Sequence, residues 1–437
     1  MELLPSMQFE SHTRHHIAWR LLPILFVLYI ASFIDRTNVA FAALDMNHDL
    51  GFSDRVFGLG TGVFFISYLA MQVPGALLVE RWSARRVISA TLIAWGSLTA
   101  LTGLVHSPGQ LYIARFALGA AEGCFFPGVI VYLSHWFIRR DRAKATSNFM
   151  GAIPLSVVVG SPIAGWILGF SWFGFAGWRW LFILEGVPAI VLGATAFFFL
   201  TDRPSQATWL EPEQRQWIEG RLQDERSLSA QTSTVWQALR NPAVPMLAAV
   251  AFLNYFTGYT LVFWFPTLLK RMSGLSDFHL GLVGVIPYAA AFLAYQVNGW
   301  DSDRTRERVI HSAIPMFLAA AGLAGLLFQP GSTTLTVGLF TLAAVGSSYL
   351  PTFWTIPTEI LSESAAATAV GLINTIGSAA GFLGPFLFGY LATKTGSPSA
   401  GLSVMLAGVV AGGVITLLIP STGKIAPSVE IIADSRS

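Results

Sequence analysis

Leu111-Tyr-Ile-Ala-Arg115-Phe-Ala-Leu-Gly119-Ala-Ala-Glu122-Gly-Cys-Phe-Phe126-Pro127-Gly128 lies inside an apolar run from about 110 to 138. The run is long enough to cross a bilayer, because ~30 Å of hydrocarbon takes about 20 residues at 1.5 Å each. In lipid the backbone must satisfy its own hydrogen bonds, so a run of this length is a helix. Arg115 and Glu122 are seven residues apart, nearly two turns, so both project from one face about 10.5 Å apart along the axis. A face that carries both charges cannot meet lipid. It has to line the interior of a helical bundle.

Comparable apolar runs recur on both sides of this one, at about 17–43, 56–79, 87–105, 145–170, 178–200, 243–269, 278–300, 309–328, 333–358, 365–393 and 400–419. Twelve runs in 437 residues agree with the composition, which is 54% hydrophobic and only 11% charged. A soluble domain carries about 25% charged residues, so a soluble enzyme, a disordered chain and a nucleic-acid-binding protein are all excluded. The expected fold is an all-α membrane protein with twelve transmembrane helices in two six-helix bundles. The expected divisions are an N-terminal bundle at 1–200, a polar linker at 201–242 and a C-terminal bundle at 243–437. The linker is rich in Glu and Arg between 211 and 226, where a surface amphipathic helix is plausible.

Placing both termini and the linker on one side gives that side 19 of the 26 Lys and Arg, against 5 on the other. The positive-inside rule then puts both ends in the cytoplasm, in a cell (inner) membrane. The N-terminus does not read as a cleavable signal peptide. Cys124 is the single cysteine, so no intrachain disulfide is possible, and no Cys/His group has metal-ligand spacing. Nucleophile-elbow and phosphate-loop motifs are missing too. Neither an enzyme nor a cofactor is expected. The partners expected are lipid, protons and a small organic anion, with the chain a monomer.

A weak repeat supports the six-plus-six division. Glu80-Arg81-Trp-Ser-Ala-Arg85-Arg86 follows the second run, and Asp303-Arg304-Thr-Arg-Glu-Arg308 follows the eighth. An acid–Arg pair trailed by further arginines can lock adjacent helix ends and release them when a bundle rocks, so these residues are gate candidates. The alternative is decoration by the positive-inside rule.

Ionisable groups at depth are few. The first run carries Tyr29-Ile-Ala-Ser-Phe-Ile-Asp35-Arg36-Thr-Asn38, and with Arg115 and Glu122 this makes two arginines and two carboxylates. Arginine stays charged and can bind a carboxylate through two parallel bonds, while carboxylates in alternating contact with water can carry protons. That set suits a proton-coupled anion carrier: Asp35 and Glu122 for the proton, Arg36 and Arg115 for the anion. A static quartet of ion pairs is the alternative. Glu185, six residues after Arg179, reads as a structural partner of that arginine rather than a proton carrier.

These residues resemble the major facilitator superfamily, specifically its anion:cation symporter branch of tartrate, galactonate, phthalate and hydroxyphenylacetate permeases. Vesicular glutamate and sialic-acid carriers are more distant members. The resemblance rests on Arg20-x-x-Pro23 with Tyr29 and Asp35-Arg36-x-Asn38, then on Arg115-x-x-x-Gly119-x-x-Glu122-x-x-x-Phe126-Pro127-Gly128. Trp136-Phe137, Gly177-Trp178-Arg179-Trp180 with Glu185-Gly186, Phe353-Trp354-x-x-Pro357, Asn374-x-x-Gly377 and Gly381-Phe382-x-Gly384-Pro385 follow in order. It implies alternating access around a central cavity, with proton sites at Asp35 and Glu122 and anion contacts at Arg36 and Arg115. Ser83-Ala84 and Glu80 depart from the family's usual Gly-Pro and Asp.

Further lining candidates are Tyr68, Asn254, Tyr255, Ser348, Trp354, Asn374 and Ser378, with Tyr29 and Asn38 from the first run. The fifth run is apolar around Ile153-Pro154, which favours a small or aromatic carboxylate over a densely hydroxylated one. The reading is a secondary active transporter that imports a tartrate-like or aromatic carboxylate by proton symport. An exchanger or uniporter on the same scaffold is the alternative.

Overall fold

The structure is a computed structural model, and it describes residues 3–228, 241–328, 331–360 and 363–419. Helices account for all twelve runs. Span 1 is Leu3–Leu50, span 2 Asp54–Arg81 and span 3 Ala84–Thr102. Span 4 is Pro108–Glu122 continued by Phe125–Trp136, span 5 is Arg139–Met150 continued by Ala152–Leu168, and span 6 is Gly177–Phe199. Beyond the linker come span 7, Ala243–Ser273, span 8, Asp277–Thr305, and span 9, Val309–Leu327. Span 10 is Thr333–Val345 continued by short turns to Ile360, span 11 is Glu363–Thr395 and span 12 is Ser399–Leu417.

Eleven of these are long and apolar enough to cross a membrane. Span 3 falls short only in hydropathy, since Arg85, Arg86 and its Ser and Thr residues dilute it. Its 19 residues still reach about 28 Å. It is held by close packing: Gly96 lies against the backbone of Gly186 in span 6, where a side chain on either glycine would strike the other's carbonyl. Small residues that let backbones touch are the usual means of holding helices together in lipid.

Span 1 outruns its apolar segment. Its 48 residues reach about 72 Å, well past a bilayer, and it ends only at Gly51, whose φ of +66° stops the helix. The protruding N-terminal part meets the expected linker helix, Pro212–Leu228. Glu10 accepts from Arg221 at 2.8 Å and Trp217 at 3.2 Å, and Arg14 donates to Asp141 at 2.6 Å. Cavities of about 340 and 590 Å³ flank this clasp, and neither reaches the buried charges.

Span 4 breaks at Gly123-Cys124, just after Glu122. Cys124 is buried against Gly75 of span 2, in a space where even a methyl group on that glycine would clash. The two bundles meet through spans 1, 2 and 5 on one side and 7, 8 and 11 on the other. Ser161 Oγ donates to the carbonyl of Gly281 at 2.7 Å, and Gly165 and Gly281 bring spans 5 and 8 backbone to backbone. At the end away from the linker, Arg271 holds Asp54 with bonds of 2.6 and 2.7 Å. Lys270 bridges Asp45, at 3.0 Å, and Asp277, while the Arg55 N–H donates to Thr393 Oγ1 at 2.9 Å. The far end is therefore tied across the bundles.

Candidate functional site

Asp35 and Arg36 are adjacent, so a helix turns their side chains about 100° apart. The structure separates them accordingly. Ser32 and Arg36, four residues apart on one face of span 1, both address Glu122. Arg36 Nε donates to Glu122 Oε1 at 2.9 Å, Arg36 Nη2 donates to the same oxygen, and Ser32 Oγ donates to it at 3.0 Å. Asp35 and Asn38, three apart on the next face, turn toward span 3. Asp35 Oδ2 accepts from Thr99 Oγ1 at 2.7 Å and Oδ1 from Asn38 Nδ2 at 3.0 Å. Arg36 is thus the partner of Glu122, not of its neighbour Asp35.

All four ionisable groups are buried: Asp35 and Glu122 are each 2% exposed, Arg36 6% and Arg115 0%. Arg115 shares its face of span 4 with Glu122, yet none of its three nitrogens has a hydrogen-bond partner among the described residues. Its guanidinium lies 4.8 Å from the Phe64 ring centre, and that of Arg36 lies 4.7 Å from Tyr68. Both cations rest on aromatic faces of span 2, which attract cations through the ring quadrupole. A guanidinium carries five donors and no acceptor of its own, so burial without a hydrogen-bond partner among the described residues leaves all five unused.

The other predicted residues divide. Tyr29 is packed rather than open: it stacks on Phe149 at 4.3 Å, with Phe126 at 5.8 Å. Tyr255 Oη donates to Asn374 Oδ1 at 3.4 Å, and Tyr259 stands edge-on to Phe65 of span 2 at 4.7 Å, so this face meets the N-terminal bundle. Trp354 is half-buried against Phe353 at 5.2 Å, and Ser378 is buried next to Gly377, which packs on Tyr255. Ser348 is buried, and its carbonyl accepts from Asn298 at 2.8 Å. Asn254 points away from the centre: it donates to its own helix at Val250 O, 2.9 Å, and to Met316 of span 9 at 3.4 Å. It bridges helices within the C-terminal bundle. Ser32 and Thr99 are the contributors the sequence reading missed. Ser32 had a signal, its i−4 spacing from Arg36; Thr99 had none, because only tertiary packing brings span 3 to Asp35.

The two repeat clusters also hold helix ends, each within its own half. Glu80 Oε2 pairs with His135 Nε2 at the end of span 4, 2.7 Å away. Arg308 binds Asp303 at 2.6 Å and Glu359 at the end of span 10 at 2.9 Å. Ser83, where the family has glycine, caps span 3 by accepting from Arg86 N at 3.1 Å and donates to Asp202 at 2.8 Å. Arg85 lies over Phe197, Arg86 over Trp82 and Arg304 over Trp300, while Arg81 is exposed. Arg179 does not meet Glu185. It donates instead to the carbonyls of Gly103 at 2.9 Å and Val105 at 3.1 Å, because six residues turn the two side chains about 120° apart.

The family model described as Major Facilitator Superfamily matches residues 25–385. The chain belongs to that superfamily. It is a multi-pass membrane transporter, not an enzyme. A chain of Agrobacterium vitis provisionally named a tartrate transporter is 39% identical, over 97% of this chain and 99% of its own length. The inner membrane transport protein RhmT of Escherichia coli K12 is 35% identical, over 91% and 92%. The superfamily fold is matched by the crystal structure of a bacterial homolog of the human lysosomal transporter Spinster, inward-facing and unoccupied. Its TM-score is 0.72, at 20% identity over 93% of this chain and 94% of that one.

Proposed function

We propose that this transporter imports a small organic carboxylate, tartrate-like or aromatic, by proton symport across a cell (inner) membrane, with both termini in the cytoplasm. The buried Arg36–Glu122 pair carries the reading. Glu122 occupies the fork of the arginine that would hold a substrate carboxylate. A proton on Glu122 removes the charge that holds Arg36 and frees its two parallel donors for an incoming carboxylate. Arg115, without an acceptor among the described residues, supplies a second positive group beside them. Loss of the proton restores the internal pair and expels the anion. Proton and substrate therefore move together.

In this reading the division lies at 200 and 243, and the bundles rock about the tight contact between spans 5 and 8. Closure at the far end and within-bundle ties at the linker end correspond to the state facing the cytoplasm. Tyr68, Tyr255, Trp354, Asn374 and Ser378 line the path, and the Glu80–Arg86 and Asp303–Arg308 clusters set the helix ends that gate it. The name of the Agrobacterium vitis relative supports a hydroxy-dicarboxylate, and the aromatic surround of Arg36 supports a planar acid. A thermal-shift screen against a carboxylate panel, followed by proteoliposome uptake of each hit with and without an imposed pH gradient, tests it. Uptake indifferent to the gradient makes the protein an exchanger or uniporter.

A further inference from the structure

Spans 5 and 6 each turn one apolar face outward: Val159, Ile163 and Trp166 on the first, Val187 and Val191 on the second. Spacings of three and four residues put each set on one side of its helix, and on a membrane-spanning helix such a side meets lipid. At the end away from the linker both faces run into the loop that joins the two spans. There Trp166 packs on Phe170 at 4.9 Å, Phe170 stacks on Trp172 at 4.1 Å, and Trp172 stands edge-on to Trp180 at 5.8 Å. Phe173 and Phe175 meet the same Trp180 ring at 6.2 and 6.3 Å. No charged residue lies between Trp166 and Trp178.

Phe173 is the tip of this cluster. It is 90% exposed, and its φ of +51° is a left-handed conformation that crowds any residue with a Cβ. The turn beneath it is closed by two donors on one carbonyl, since Phe175 N–H and Trp180 Nε1 each reach Trp172 O at 3.0 Å. Gly177 then lies against the Leu168 backbone, where a methyl group would strike the carbonyl, so the loop closes tightly on the two helix ends and leaves the ring outside. Backbone strain that turns a phenyl ring into water gains nothing from water. The turn between spans 11 and 12, the corresponding place in the other bundle, reads Thr395-Gly-Ser-Pro-Ser399 and has no aromatic residue.

We infer that the 170–176 loop is an interfacial anchor: Trp172, Phe173 and Phe175 sit among the lipid headgroups and upper acyl chains of the leaflet at that end. Aromatic rings favour this layer, where an apolar body meets hydrocarbon and a polar edge stays wet. The occupant is lipid because the cluster continues two faces that already lie in hydrocarbon. An uncharged loop also needs no anionic headgroup to hold it. Gly165, which meets Gly281 of span 8 backbone to backbone, directly precedes Trp166, so the anchor fixes the depth of the contact between the bundles. None of this depends on which substrate is carried.

The test places one nitroxide label at a time on the full chain in phosphatidylcholine vesicles, at Phe173→Cys or at Thr395→Cys, each with Cys124→Ser. Spin-relaxation measurements compare collisions with oxygen, which concentrates in lipid, and with a water-soluble nickel chelate. Oxygen collisions should exceed chelate collisions at position 173, and the ratio should invert at 395. The same chelate-dominated ratio at both positions overturns the anchor. So does spin–spin broadening at 173 that vanishes on dilution with unlabelled protein, because a second copy would then cover the cluster. If the Cys124→Ser chain does not fold, the tryptophan emission lost on Trp172→Phe decides. That emission should be quenched in vesicles of lipid brominated high on the acyl chain, and its survival there overturns the inference.

Discussion

The two bundles are built alike and charged differently. The N-terminal bundle buries Asp35, Arg36, Arg115, Glu122 and the carboxyl oxygens of Glu185, whereas the facing surface of the C-terminal bundle presents Tyr255, Tyr259 and Asn374. Ionisable groups in a bilayer are costly wherever they sit, so in the proposed cycle charge movement belongs to the half that holds them. The neutral half can recognise shape and hydrogen-bonding pattern. The residues named on its facing surface carry no carboxylate and no base.

The strongest way to break this contrast is Glu122→Gln. Uptake driven by a pH gradient should disappear, while exchange of internal for external substrate stays measurable, because the amide keeps the shape of the site without the proton. Gradient-driven uptake at the parental rate would remove Glu122 from coupling. Arg36→Lys comes next. An ammonium cannot supply two parallel bonds, so a loss of about 1.4–3 kcal/mol, roughly 10- to 150-fold in affinity, is expected by isothermal titration of monodisperse protein. Affinity within about threefold of the parent would transfer the anion contact to Arg115.

On the neutral side, Asn374→Ala removes the partner of Tyr255. A neutral hydrogen bond is worth about 0.5–1.5 kcal/mol, so affinity should fall about 2- to 13-fold. The pH dependence of uptake should stay where it was, and a displaced pH profile would show that the C-terminal half takes part in coupling after all. The smallest effect is expected from Arg271→Gln at the far end. This arginine's side chain is 41% exposed, so solvent screens the bond to Asp54, and its loss costs at most about 1 kcal/mol. A pair of labels across spans 2 and 7 should report a modest gain in the far-side-open population.

Much of this was legible beforehand. Apolar runs of membrane length mark the helices, and charges placed within spans 1 and 4 mark Arg36, Arg115 and Glu122 as ionisable groups that have to be buried. What could not be read is which way a polar side chain turns once helices pack. Asn254 looks like a lining residue by composition and proves to be a bridge to Met316, since periodicity cannot distinguish a neighbouring helix from a central path. Closeness in sequence pairs Glu185 with Arg179, although helix geometry turns them to different sides of span 6. The far-end bonds of Asp54 with Arg271 and Asp45 with Lys270 join residues more than 200 positions apart, so no local pattern announces them.

Cys124 sits at the break in span 4, two residues after Glu122 and pressed against Gly75 of span 2. As the sole thiol in 437 residues, it is a native labelling handle with no background to engineer away. The rate at which a small alkylating reagent reaches it measures how often spans 2 and 4 part at the level of the buried carboxylate. Run with and without a candidate substrate, that single rate turns a kink in a helix into a stopwatch for the transport cycle.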